Sequence, residues 1–224
     1  MLLALARKLN KQTRQFETFN RDGLTGIECA GRRLLVVGVG RIGSAMVRLG
    51  RAIGMQVQGV DLVKKLPDLD YVALEEGVRG SDFIVCALPL TDLTREMFHA
   101  SLLKKAKPGV LLVNISRGEI TPLHPMRDLL RSGHVGGLGL DVFEQEEALA
   151  DALRQEGKQG LTGQGQEVLA LSNEENVLFT PHNAFNTREA LDRKAKQSAE
   201  SVVQFLKEGT FPHPVPSELF RDIP

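Results

Sequence analysis

Two hydrophobic periods alternate along the chain. From Arg33 to the mid-180s, short β-branched runs that are almost continuously apolar are separated by stretches in which apolar residues fall at steps of three and four. Continuous apolar runs suit strands buried on both faces, and their alternation with helical periodicity is the signature of βαβ units around a parallel sheet. The predicted strands are 34–39, 56–60, a weak one at 71–73, 83–88, 110–115, 137–141 and 177–180. Between the first two, Ile42, Ala45, Met46, Leu49 and Ile53 make one helical stripe that should face the sheet, and Gly54 should stop that helix. Thr121 and Pro122 should open another helix at Leu123, which Gly133 would end.

The flanks read differently. Residues 1 to about 13 and 189 to about 207 are predicted helices, the second with Leu191, Ala195, Val202 and Leu206 on one face, and the PHPVPSELF tail should be extended. Residues 155–167 place Gly157, Gly160, Gly163 and Gly165 among polar side chains, which is the composition of an exposed, mobile loop. No repeat of solenoid length occurs. The expected fold is α/β, a doubly wound parallel sheet of the Rossmann type.

Composition narrows the partners. With 224 residues, 42% of them hydrophobic, the chain can bury one large core or one domain with part of a second. Its 28 basic and 28 acidic residues cancel, so no net field draws nucleic acid or an anionic membrane, and no apolar run reaches the roughly 18 residues a membrane span needs. MLLALA is too short for a signal core and is interrupted by Arg7 and Lys8. Cys29 and Cys86 lack metal or redox spacing, which suits a reducing, cytoplasmic compartment, and the histidine spacings suggest no metal site.

The chemistry begins after the first strand, at Gly38-Val39-Gly40-Arg41-Ile42-Gly43. In a GxGxxG turn between strand and helix, the first glycine permits the tight turn, the second admits a pyrophosphate, and the third lets the helix close on the strand. Asp61 ends the second strand 18 residues after Gly43, near the spacing at which a carboxylate accepts from the adenosine ribose diol. That charge would repel a 2′-phosphate and so favours NAD over NADP, although Lys64 and Lys65 follow closely.

Ligands of such sheets bind beyond the carboxyl ends of the strands. Arg117 follows one strand and could grip a carboxylate with two parallel hydrogen bonds. Asp141 ends another and can reach the nicotinamide region, with Glu146 five residues on. His182 follows Pro181 at the last strand, and histidine can take a hydroxyl proton while hydride leaves the same carbon. A carboxylate beside that ring, such as Glu146, would stabilise the imidazolium.

Together GVGRIG, ALPLT, NISRGE, LDVFEQE and FTPHNAF occur in the order of the D-isomer-specific 2-hydroxyacid dehydrogenase family, which the whole chain resembles. The resemblance implies that Arg117 orients substrate, His182 is the general acid/base and Glu146 pairs with it. It also implies that the amides of Arg41 and Ile42 face the pyrophosphate, that Asp61 meets the ribose, that Pro89, Ile115 and Asp141 line the cofactor, and that cofactor domains pair into a homodimer. The substrate would be a small 2-hydroxy or 2-oxo acid.

MLLALARKL resembles the interdomain helix that the family reaches only after roughly one hundred residues. The implied organisation is therefore residues 1–14 as interdomain helix of a substrate domain mostly absent, 15–186 as dinucleotide-binding domain, and 187–224 as the helix and tail returning to the second domain, with apolar surface left exposed. Glu147 replaces the family's usual proline, Cys86-Ala87 precedes Pro89, and the glycine-rich segment before His182 is a further departure. The rival expectation is a catalytically incomplete NAD-binding remnant or regulatory module; a third is a hydrolase using a transient oxidation by NAD.

Overall fold

The computed structural model describes residues 1–154 and 164–212. They fall in two compact units, Met1–His182 and the segment from Asn183 onward.

The first unit is built on seven parallel strands: β1 (Arg33–Val37), β2 (Gln56–Val60), β3 (Asp70–Tyr71), β4 (Phe83–Cys86), β5 (Val110–Asn114), β6 (Val135–Leu140) and β7 (Val177–Phe179). Their order across the sheet is β3-β2-β1-β4-β5-β6-β7, so the winding reverses between β1 and β4. The doubly wound sheet expected from the pattern is present.

Period-two alternation sorts the central side chains into two cores. Leu35 and Val37 of β1 join Ile84, Leu112 and Leu138 on one face, while Leu34 and Val36 join Phe83, Val85, Leu111 and Val113 on the other. Helices α1 (Leu2–Ala6), α2 (Leu9–Gln15) and α3 (Arg41–Ala52) follow in turn, and Leu2, Ala6 and Val47 from α1 and α3 cover the second face. The first face is covered from α4 (Leu74–Gly80), α5 (Ala100–Leu103), α6 (Met126–Arg131), α7 (Glu146–Arg154) and α8 (Gln164–Leu171), with Val78, Leu103, Met126, Leu149 and Leu171 all buried there. Each such side chain contributes about 1.5–3 kcal/mol by leaving water.

Several expectations need correction. The buried face of α3 is Gly43, Val47 and Gly50; of the expected stripe Met46 packs half-buried against the core and Ala45 is half-buried, whereas Ile42, Leu49 and Ile53 stay exposed at 60%, 59% and 39%. The reason is close approach: a Cβ on Gly50 would lie 2.6 Å from Leu34 Cδ2, so the strand side chains fill the space a larger helix residue would need. Gly54, at φ 79°, follows the helix end as expected. The first helix is broken in two at Lys8, which is left-handed at φ 51°. There Ile27 N–H donates to the Ala6 carbonyl at 2.8 Å, and Lys8 Nζ donates to the Gly23 carbonyl.

The helix expected from Leu123 starts only at Met126, with Pro125 as its cap. Pro125 disfavours helical backbone at His124, and the hydroxyl of Thr121 accepts from Asn114 rather than capping a helix. The end of the expected glycine-rich loop, from Gln164, belongs to α8; its other residues, 155–163, lie outside the described residues.

The second unit carries α9 (Arg188–Glu208). Thr187 caps its start by accepting from Ala190 N–H at 3.2 Å, and left-handed Gly209 ends it. None of its residues is buried; Leu191, Val202 and Leu206 are exposed, and Phe205 stacks on Phe211 with centroids 4.6 Å apart. The tail beyond Pro212 lies outside the described residues. Among the described residues no helix is long and apolar enough to cross a membrane, and no group of three or more His, Cys, Asp or Glu is placed to hold a metal ion.

Candidate active site

The register of the sheet sets the site. Val60 pairs with Val37, Val37 with Cys86, Cys86 with Asn114, Asn114 with Leu140, and Leu140 with Phe179. The last residues of six strands therefore lie in one row, and every loop carrying a candidate residue leaves from that line.

At the β1 exit, Gly38 has φ 92° and donates its N–H to the Val60 carbonyl at 2.8 Å. A Cβ there would lie 2.6 Å from the Ala87 carbonyl oxygen, and one on Gly43 only 1.8 Å from that of Gly38. At Gly40 a Cβ would meet nothing within 4 Å. Two glycines are thus required by the protein's own packing, while the third borders open space at the start of α3. Gly40 is the cap of that helix without any side-chain bond, so the first N–H groups of Arg41 and Ile42 are supplied to whatever enters. This is a cradle that fits an anionic phosphate.

Asp61 is more engaged than its spacing suggested. Its Oδ2 accepts from Val39 N–H at 2.6 Å and its Oδ1 from Val63 N–H at 3.0 Å, so the carboxylate also shapes the glycine loop. At the β4 exit, Leu88 N–H donates to Ser116 Oγ at 2.9 Å and the Pro89 carbonyl accepts from Thr94 at 2.8 Å. The neighbouring Cys86 thiol is pushed up to about 11 by burial, with a bond to Ser116 acting the other way, so it stays a neutral thiol.

The β5 exit holds Ile115, half-buried against the α1 and α3 side of the core, and Arg117, which is exposed and donates Nη1 to the Ser116 carbonyl at 2.7 Å. At the β6 exit, Asp141 is 1% exposed and its carboxylate accepts from the hydroxyl of Thr180.

Glu146 is the first residue of α7, preceded by left-handed Gln145 at φ 55°. Its Oε1 accepts from Phe143 N–H at 2.9 Å, and its Oε2 meets His182 Nδ1 at 2.7 Å. His182 is itself left-handed at φ 49°, a conformation uncommon for a residue with a Cβ. Two residues 36 positions apart are thus in direct contact, and the Phe143 and Phe179 rings, from the same two strand exits, pack edge to face at 5.3 Å. Arg117 belongs to the same neighbourhood: a Cβ on Gly118 would lie 2.0 Å from the Phe143 carbonyl carbon, so its turn lies directly on the chain leading to Glu146.

Asn114, Ser116 and Thr180 went unnoticed in the sequence, although each is a polar residue at the end of an apolar strand. The arrangement offers a proton-transfer pair, a guanidinium and a phosphate cradle along one edge.

Comparison with known proteins agrees with this geometry. Glyoxylate reductase of Korarchaeum cryptofilum is 32% identical over 95% of this chain, and D-lactate dehydrogenase of Escherichia coli 31% identical over 95%. The chain spans only 62% and 65% of their respective lengths. Among solved structures, D-lactate dehydrogenase from Aquifex aeolicus complexed with NAD and lactic acid matches with a TM-score of 0.85 and 31% identity, covering 96% of this chain and 68% of that one. D-2-hydroxyisocaproate dehydrogenase matches with a TM-score of 0.86 and 26% identity, covering 96% and 66%. Residues 1–184 match the sequence profile described as D-isomer specific 2-hydroxyacid dehydrogenase, NAD binding domain. With the glycine cradle, the sheet order and the His182–Glu146 contact already in place, the chain belongs to the D-isomer specific 2-hydroxyacid dehydrogenase family.

Proposed function

We propose that the protein is an NAD-dependent oxidoreductase that interconverts a D-2-hydroxy acid and its 2-oxo acid. One observation carries the reading: the 2.7 Å contact between His182 Nδ1 and Glu146 Oε2 stands on the same sheet edge as the Gly38–Gly43 cradle. The cradle amides of Arg41 and Ile42 would hold the pyrophosphate, Asp61 the ribose, and Pro89, Ile115 and Asp141 the remainder of the dinucleotide. When bound, NAD supplies two-electron chemistry, accepting hydride from the carbinol carbon or returning it as NADH.

The residues of the chain do the rest. A carboxylate only accepts, so Glu146 makes Nδ1 the donor and leaves proton exchange with the substrate hydroxyl to Nε2 of His182. Glu146 then stabilises the imidazolium formed when His182 takes that proton. Arg117 grips the substrate carboxylate and so fixes which face of C2 is presented. Free Cys29 and Cys86 suit a reducing compartment such as the cytoplasm. We also propose a homodimer, supported by the exposed Ile42 and Leu49 on α3 and Ile53 at its carboxyl end.

The test is a panel of 2-oxo acids with NADH, run beside His182→Ala and Glu146→Gln. Turnover is expected with at least one acid, lost by about a thousandfold or more in His182→Ala and reduced less in Glu146→Gln, with NADH affinity kept within about threefold in both. Full turnover in His182→Ala would sink the role of the imidazole. NADH binding by the parent without turnover of any acid would instead make the chain a dinucleotide-binding module.

A further inference from the structure

We propose that the buried side-chain amide of Asn114 is a positioning residue that holds the turn of Arg117 in place for the substrate carboxylate, an inference that rests on the reading of Arg117 given above.

Asn114 is 0% exposed at the end of β5, a strand otherwise wholly apolar and buried. A polar group in such a place is costly unless its bonds are complete, and those bonds then fix a geometry more sharply than apolar packing would. Every bond of this amide goes to the following turn. Oδ1 accepts from Ser116 N–H at 2.8 Å, and Nδ2 donates to the Arg117 carbonyl at 2.8 Å and to Thr121 Oγ1 at 3.1 Å. Other bonds hold the outer side of the turn, from Leu88 N–H to Ser116 Oγ at 2.9 Å, from Glu96 N–H to the Glu119 carbonyl at 2.8 Å and from Phe98 N–H to the Ile120 carbonyl at 3.0 Å. The Arg117 carbonyl itself is held by Asn114 and by a 3.3 Å bond from Ile120 N–H.

The main chain of the same residue does a different job. Its carbonyl accepts from Asp141 N–H at 3.1 Å, and its strand neighbours are Cys86 and Leu140, so the backbone joins the exits of β4, β5 and β6 whatever side chain it carries. Replacing the side chain therefore removes the bonds from the end of β5 to Ser116 N–H, the Arg117 carbonyl and Thr121 Oγ1 while leaving the sheet pairing intact.

Asn114→Asp keeps the shape and the acceptor but loses both donated bonds, and Asn114→Leu fills the volume with no polar atom. Binding of NADH to the full chain is measured first, then binding of oxamate, an unreactive carboxylate isostere of a 2-oxo acid, to the NADH-loaded protein. Oxamate affinity is expected to fall by about tenfold or more in both variants while NADH affinity stays within about threefold. Unchanged oxamate affinity, or equal losses for oxamate and NADH, would overturn the proposal.

Hydrogen exchange gives a readout independent of substrate. Faster exchange confined to residues 115–121 is expected in both variants; exchange spread through β4 and β6, or no change, would overturn the proposal. Should the parent bind NADH but not oxamate, the role of Arg117 falls, and the exchange pattern alone still decides whether Asn114 holds the turn.

Discussion

Individual residues differ most where they look alike in the sequence. Gly38, Gly40 and Gly43 belong to one motif, yet a side chain at 43 would strike the Gly38 carbonyl at 1.8 Å while one at 40 would meet nothing. Gly43→Ala is expected to destabilise the fold by about 3 kcal/mol or more. Gly40→Ala has ordinary backbone at φ −75° and should change stability by less than about 0.5 kcal/mol. It should nevertheless weaken NADH binding by about tenfold, because the new methyl group occupies the approach of the phosphate. Urea unfolding with NADH titration separates the two outcomes; equal loss of stability in both variants would contradict the open cradle. The motif itself was legible because GxGxxG is local. The three separate roles follow from the motif as well, but the partner that crowds Gly38 does not, since Ala87 becomes its neighbour only after β4 pairs with β1.

Among elements, the amino ends of the strands are tied by Asp82, which precedes β4. Its Oδ2 accepts from Arg33 N–H of β1 at 2.9 Å and its Oδ1 meets Lys107 Nζ at 3.2 Å, ahead of β5. Burial alone would push this carboxyl up, but the Arg33 N–H and the Lys107 ammonium outweigh it and hold the carboxyl below its usual range. A lowered folded value means the stabilisation is present above the unfolded value and fades as pH falls through the folded one. Asp82→Asn should therefore cost about 1–2 kcal/mol near neutral pH and progressively less below about pH 4. Denaturant melts at both pH values measure this; a cost independent of pH would exclude the charged network. Elements were read well where strands are buried on both sides, as in β4 and β5. They were read poorly at α3, where periodicity shows that a stripe exists but Gly50 opposite Leu34 and Val57, with Gly43 opposite Val36, decides which stripe the sheet accepts.

For the whole molecule, the exposed crest of α3 argues for a second copy. Sedimentation should give roughly twice the chain mass of 24.6 kDa, and Leu49→Glu with Ile53→Glu should return it toward the single chain. A parent that sediments as a monomer would remove the homodimer from the reading.

The amino-acid sequence alone determined the alternation of strands and helices, the glycine turn, and the placing of Arg117, Asp141 and His182 just past apolar runs, because these depend on backbone preference and hydrophobic period over a few residues. Only the tertiary structure decided that six strand ends share one row, that Glu146 reaches His182 across 36 positions, and that Asn114 spends its amide on the turn of Arg117. Such contacts join residues remote in the chain, and they arise from strand register and close packing, which no local pattern encodes.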